Sequence, residues 1–288
     1  MRGQTLLTLK IFGLGLLLFW GQPQWAQAAS PCDQEAVTGE ARQTLSVRPG
    51  AKASALVVHG LNNSSQMMSD VEASLQEMGL NTLNLTLYGH HGQFSEFQAA
   101  TQEDWLEDVL SGYCELRNLG LPVIFVGYSL GGFLGPYLST QWRAVEFKAF
   151  VFLAPALVLH RPLDWLARLR ILGRRFSLPS RAPKDYRVYS KVPVSAYWEF
   201  LEAKEDFAEA DLERLRVPGL VLIDPRDELV SAEGLRQFIS EQDLDDYWKF
   251  VEVKSKHSYR HIIVDHKTLP AGGWSQLNSF VGSLVSEK

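Results

Sequence analysis

Between residues 53 and 155 the chain alternates two hydrophobic patterns. Short apolar runs, "ASALVVHG" (53–60), "NTLNLTLYG" (81–89), "LPVIFVGY" (121–128) and "FKAFVFLAP" (147–155), are separated by stretches whose apolar residues recur every three or four positions. Those stretches are "SQMMSDVEASLQEMG" (65–79), "TQEDWLEDVLSGYCELRNLG" (101–120) and a segment opening at Ser129. Runs of the first kind read as strands buried on both faces, and those of the second as amphipathic helices. Their alternation predicts an α/β chain with a doubly wound, mostly parallel sheet. The rhythm breaks between about Leu157 and Ala210 and resumes with the strand "VPGLVLIDP", the helix "SAEGLRQFISEQ", the strand "WKFVEVKS" and a last helix near Trp274 to Val285. An insertion of that size after one strand predicts an inserted helical cap, about 158–210.

The first residues follow a different logic. Arg2 and Lys10 flank the start of "IFGLGLLLFWG", and Ala26-Gln27-Ala28 offers an A-x-A cleavage site. The apolar run is shorter than the roughly 20 residues that span a bilayer. Residues 1–28 are therefore expected to be a signal peptide, 29–288 the mature domain, and the protein exported, periplasmic or secreted. "AASPC" lacks the aliphatic residue that lipidation at Cys32 requires. Two readings of the cysteines stand side by side: a disulfide between Cys32 and Cys114 tethering the N-terminal arm, or two unpaired thiols with Cys114 packed as a small apolar residue.

Composition adds bounds. With 46% hydrophobic and 21% charged residues the chain can bury a sizeable core, and a net charge of -5 gives no reason to expect nucleic acid as a partner. The charge is uneven, however. Residues 161–191 carry Arg161, Arg168, Arg170, Arg174, Arg175, Arg181, Lys184, Arg187 and Lys191 against Asp164 and Asp185. Within them "LDWLARLRILGRRF" sets Leu163, Leu166 and Leu169 at helical spacing among arginines. Such a helix either lies on anionic lipid or presents a solvated basic face while its apolar side covers the cleft beneath.

The chemistry centres on "FVGYSLGGFLG" (125–135). Gly127-Tyr128-Ser129-Leu130-Gly131 is G-x-S-x-G between a predicted strand and a predicted helix, where a strained turn lifts the serine hydroxyl above the sheet. A hydroxyl at neutral pH needs a base and a carboxylate to orient it. "VLIDPRDELVS" supplies two acids after a strand. Asp224 belongs to the strand end and reads as a turn cap, whereas Asp227 lies in the loop proper and is the expected partner. For the base, His261 heads the apolar run "HIIVD", His257 lies in the polar "KSKHSYR" and is the alternative, and His266 falls beyond the run, on the surface. The oxyanion of the transition state needs two backbone N–H groups. Leu130 follows the nucleophile, and Leu61 lies in the loop "VVHGLNNSS" after an early strand. His59 has no His, Cys, Asp or Glu cluster around it at ligand spacing, so no metal is expected and it is assigned to bracing this loop.

These segments together resemble the α/β-hydrolases. "HGLNNS" is similar to the family's HG oxyanion loop, "YGHHG" to its R-G-H-G-like turn, "GYSLGG" to its nucleophile elbow, "DELVS" to its acid loop, and "HIIVD" to the histidine segment of the carboxylesterase and monoacylglycerol lipase branch. The likeness runs over roughly residues 53–285, with the cap as the variable part. It implies a triad of Ser129, Asp227 and His261, an oxyanion hole of Leu61 and Leu130, and turn roles for His90 and His91. A serine at the elbow sets aside the members that use aspartate there. The expected function is hydrolysis of carboxylic esters, medium acyl esters or monoacyl lipids, through an acyl-enzyme without a cofactor. A thioesterase or amidase would use the same triad. From another class, a non-catalytic lipid- or partner-binding protein would keep the fold alone.

Overall fold

The computed structural model describes Cys32, residues 43–160, Gly173 and residues 176–286. The leader 1–28 and the arginine-rich stretch 161–172 therefore lie outside the described residues. Seven strands form the main sheet: β1 (Gln43–Ser46), β2 (Ser54–Val58), β3 (Asn81–Leu85), β4 (Val123–Tyr128), β5 (Ala149–Leu153), β8 (Gly219–Ile223) and β9 (Trp248–Glu252). Their spatial order is β1-β3-β2-β4-β5-β8-β9. β1 pairs antiparallel with β3, and all other pairs are parallel.

Each inner strand divides its apolar residues between two faces, because successive side chains point to opposite sides. Ala55, Val57, Ile124, Val126, Val151, Leu220 and Leu222 face a core closed by α1 (Ser69–Glu77) and α7 (Ala271–Ser286). Leu56, Val58, Phe125, Phe150, Phe152, Val221 and Ile223 face the other core, closed by α3 (Gln102–Arg117), α4 (Leu130–Gln141) and α6 (Ala232–Glu241). Burial on both sides is why the parallel strands read as apolar runs.

Two short elements carry weaker signals. β1 is "QTLS" at the sheet edge, and α2 (Phe94–Ala99) is a single short helix between the β3 loop and α3. Between β5 and β8 the described residues form an antiparallel hairpin, β6 (Ser177–Pro179) with β7 (Lys191–Pro193), followed by α5 (Val194–Ala208). α5 packs on α2, α3 and α4, and its Ala196, Phe200, Ala203 and Phe207 join the second core. Trp198 and Tyr186 are buried as well, while Tyr189 and Tyr197 are half-buried. Of the two cysteine readings the structure takes the first: Cys32 and Cys114 are joined as a disulfide across 82 positions of sequence. No helix among the described residues is long and apolar enough to cross a membrane.

Candidate active site

The site lies at the carboxyl ends of the parallel strands. β4 ends at Tyr128, α4 begins at Leu130, and Ser129 between them has φ 52° and ψ -117°. A non-glycine residue held there is strained and persists because its surroundings over-determine it. The Ser129 N–H donates to the Leu153 carbonyl on β5 (3.0 Å), and its carbonyl accepts from the Ala156 N–H (3.0 Å). The tightness extends to the glycines. A Cβ on Gly127 would lie 2.6 Å from the Gly131 carbonyl, and one on Gly131 only 2.3 Å from the Val58 carbonyl, so the first turn of α4 can rest directly on the end of β2.

Two loops bring partners to this serine. His261 Nε2 stands 2.8 Å from Ser129 Oγ, and His261 Nδ1 2.7 Å from Asp227 Oδ2. Asp227 is itself fixed, since its Oδ1 accepts the N–H groups of Leu229 (2.7 Å) and Val230 (2.8 Å). Its side chain is fully buried and that of His261 is 5% exposed. The apolar run behind the imidazole, Ile262, Ile263 and Val264, is buried in the α7-side core, and the Tyr128 ring packs 5.2 Å from the imidazole. The serine, imidazole and carboxylate therefore form one continuous hydrogen-bonded line.

The other acids and histidines of these loops do different work. Asp224 is buried and accepts from the Arg226 N–H (2.9 Å), the Arg226 guanidinium and the Ser255 N–H (2.8 Å), joining the loop after β8 to the loop after β9. Burial alone would push its carboxyl up, but the bonds from Arg226 and Ser255 outweigh that and hold it below the usual carboxylate range. His257 Nδ1 accepts the Tyr259 N–H (2.9 Å) and its ring packs edge-on to Tyr186, so it is not part of the line. The ring of His266 packs tilted against Trp274, with centroids 4.4 Å apart.

Sequence reasoning missed Glu228. Its two carboxylate oxygens accept the N–H groups of Arg260 (3.1 Å) and His261 (3.0 Å), tying the histidine's backbone to the acid loop. Adjacency to Asp227 was the only signal available.

On the opposite side of Ser129 lies the loop after β2. Leu61 is the second residue of a turn, Gly60 to Asn63, closed by the Asn63 N–H on the Gly60 carbonyl (3.1 Å). A Cβ on Gly60 would meet Ser129 Cβ at 2.9 Å, so the turn abuts this serine. Leu130, as the first residue of α4, presents an N–H that no earlier helical carbonyl can take.

His59 is fully buried. Its Nε2 accepts the Leu87 N–H (3.1 Å), which places the ring proton on Nδ1, where it donates to the Gly60 carbonyl (2.8 Å). Burial lowers its pKa to about 4, so the ring is a neutral brace between the loops after β2 and β3. His90, 5.0 Å away and equally buried, is likewise held well below the ordinary histidine value, chiefly by burial. Among the described residues no group of three His, Cys, Asp or Glu side chains is placed to hold a metal ion.

A comparison with curated proteins finds no match. Among solved structures, the two metagenome-derived lipolytic enzymes LipS and LipT supply a chain 20% identical, with TM-score 0.69, covering 85% of this chain and 97% of that one. The monoacylglycerol lipase of Paleococcus ferrophilus is 20% identical with TM-score 0.67, over 86% of this chain and 99% of that one. A soluble variant of the monoglyceride lipase of Saccharomyces cerevisiae is 14% identical with TM-score 0.68, over 92% and 98%. At such identities these likenesses speak for the fold. The family model described as serine aminopeptidase, S33, matches residues 49–261, from the strand before the candidate oxyanion loop to the candidate base. The chain thus belongs to the Hydrolase_4 family (serine aminopeptidase, S33) of the α/β-hydrolase superfamily.

Proposed function

We propose that the protein is a serine hydrolase that cleaves carboxylic esters through an acyl-enzyme. The observation that carries this reading is the line Ser129 Oγ to His261 Nε2 (2.8 Å) and His261 Nδ1 to Asp227 (2.7 Å) at a strained elbow. His261 accepts the hydroxyl proton as Ser129 Oγ attacks the acyl carbon, and Asp227 orients the ring and stabilises its charged form. The N–H groups of Leu61 and Leu130 receive the negative charge that develops on the acyl oxygen. The imidazolium then gives its proton to the departing alcohol, and a water activated by the same imidazole releases the acid and restores Ser129.

Medium acyl esters and monoacyl lipids are the proposed substrates, on the strength of the lipases and esterases among the structural neighbours. The family description favours a second reading, cleavage of an amide by the same three residues. The basic stretch before β6 is proposed to bring the site to anionic lipid, and residues 1–28 to direct export. The disulfide supports an oxidising compartment. The N-terminal sequence of the exported protein checks the cleavage after Ala28, and co-sedimentation with anionic vesicles checks the lipid contact.

The deciding experiment compares rates on p-nitrophenyl esters from acetyl to palmitoyl, an acyl thioester and aminoacyl p-nitroanilides. A loss of about a thousandfold or more in Ser129→Ala and His261→Ala, with His257→Ala near wild type, is expected on the preferred ester. Anilides turned over faster than every ester would favour the amide reading. Wild type no faster than Ser129→Ala on all of them would leave the binding-protein alternative.

A further inference from the structure

The loop of the β6–β7 hairpin comes down onto the turn that carries Leu61, and the contacts there are polar and directional. Asn62 is buried, 3% exposed, and has φ 58° at the third position of the turn, where a type II turn takes Gly or Asn. Both ends of its side-chain amide pair with one residue of the hairpin loop: Oδ1 accepts the Tyr189 N–H (2.9 Å) and Nδ2 donates to the Tyr189 carbonyl (2.9 Å). The Asn62 backbone carbonyl accepts the Val188 N–H (2.9 Å), and Asn63 Nδ2 donates to the Tyr186 carbonyl (2.6 Å). Two consecutive asparagines thus make four hydrogen bonds to the strap Tyr186–Tyr189.

The strap is held from its far side as well. The Tyr189 ring stacks on Phe97 at 5.6 Å and its hydroxyl donates to the His91 carbonyl (3.1 Å). The Tyr186 hydroxyl donates to Asp265 (2.8 Å), four residues after His261. The strap therefore bridges the loop after β3, the turn of Leu61 and the loop of the base. On the turn itself, a Cβ on Gly60 would lie 2.6 Å from Asn63 Oδ1 and 2.9 Å from Ser129 Cβ, so clamp and nucleophile pack on the same glycine. Donors that stabilise developing charge act by being held in place before the reaction, and a short turn on a loop has no helix or sheet ladder to hold it.

We infer that Asn62 and Asn63 clamp the strap Tyr186–Tyr189 to the turn carrying Leu61, which makes Asn62 a positioning residue for the Leu61 N–H and the strap a standing wall of the site. The inference rests on the oxyanion role proposed above for Leu61. It implies that substrate enters without displacing residues 186–189, since their release would loosen the turn.

Asn62→Gly tests it, because glycine adopts the positive φ while deleting the side-chain clamp. Three readouts are taken below the melting temperature of the variant. Hydrogen exchange over residues 184–193 reports the clamp whether or not a substrate is known, and the expected result is loss of protection at Tyr189. Steady-state kinetics on a p-nitrophenyl ester report positioning: kcat is expected to fall about 10- to 100-fold with KM within about twofold. Binding of a trifluoromethyl ketone, which forms a tetrahedral adduct on the serine, should weaken by a similar factor. A merely structural role would lower the melting temperature and leave these ratios alone. Asn63→Ala, which removes one bond to the strap, that to Tyr186, together with a contact to Met67 Sδ, should move each readout the same way by less. Unchanged exchange, or kcat within twofold of wild type in both variants, overturns the inference. If exchange is lost while wild type is no faster than Ser129→Ala, the clamp stands and the oxyanion role of Leu61 falls with the hydrolase reading.

Discussion

At the scale of single residues, Glu228 has the most to say about how the candidate base is held in place. Its carboxylate grips the backbone of Arg260 and His261, and the hydroxyls of Tyr128 and Tyr259, pushed up first by burial, are pushed further by its charge; their rings lie 5.2 and 6.3 Å from the imidazole. Glu228→Gln keeps an acceptor for one of the two N–H groups and leaves the other unpaired, so the backbone that carries the imidazole is held less firmly. On the preferred ester kcat/KM is expected to fall about 3- to 10-fold. A value within about twofold of wild type would show that the packed run Ile262, Ile263 and Val264 holds the imidazole without this tie. Local chemistry made several neighbours legible in the sequence. Asp227 was distinguishable from Asp224 because one sits past the strand and the other at its end, and His261 from His257 because only His261 heads a buried apolar run. Glu228, Asn62 and Asn63 were not, because their partners lie 32 to 127 positions away and ordinary surface loops contain the same residue types.

At the scale of elements, what could be read was what is buried on both faces. β2, β3, β4, β5 and β8 are buried throughout and announce themselves as apolar runs. β1 and the hairpin β6–β7 are three or four residues long and stabilised by pairing, so periodicity has nothing to work on. α3 shows an element whose composition hides a cost. Its acidic N-terminal half suits the helix dipole, yet Asp108 faces inward, 5% exposed, where its carboxylate accepts the Tyr88 N–H at 2.6 Å. Burial, reinforced by Asp104 and Glu107 and opposed by the Tyr88 bond, raises its pKa to about 7. The folded state then binds a proton that the unfolded chain has released, so this group's stabilisation is complete below about pH 4 and is lost as pH rises to about 7. Asp108→Asn removes that loss while keeping an oxygen for Tyr88. Its melting temperature relative to wild type is expected to climb between pH 4 and pH 8, by an amount on the order of 3–4 kcal/mol in unfolding free energy. A difference flat across that range would show that Asp108 is ionised throughout.

At the scale of the whole molecule, strand order and chain closure are set by contacts that no window of sequence contains, and the disulfide is the clearest case. Spacing left pairing and two free thiols equally open; the fold decides, by carrying Cys114 on α3 to meet Cys32. The bond closes a loop of 82 positions that encloses β1, β2, α1, β3, α2 and α3, about half of the main sheet. In the chain-entropy account a loop of that length stabilises the folded state by about 4.5 kcal/mol, chiefly by restricting the unfolded chain. For a domain of this size that corresponds to a melting temperature lower by about 10 °C once the bond is gone. Its position predicts that activity is spared. Trp105 and Asp108 hold the Tyr88 end of α3 near the carboxyl ends of the strands, and Cys114 lies beyond them by about 9 Å along the helix axis. Cys114→Ser and reduction of wild type should therefore lower the melting temperature by the same amount, reduction should add nothing in the variant, and ester turnover at 25 °C should stay within about twofold. Because the stabilisation acts through the unfolded state, it should appear in refolding yield under reducing conditions before it appears in any rate. A melting temperature indifferent to reductant would mean that β1 and its pairing with β3 hold this end of the chain without the covalent tie.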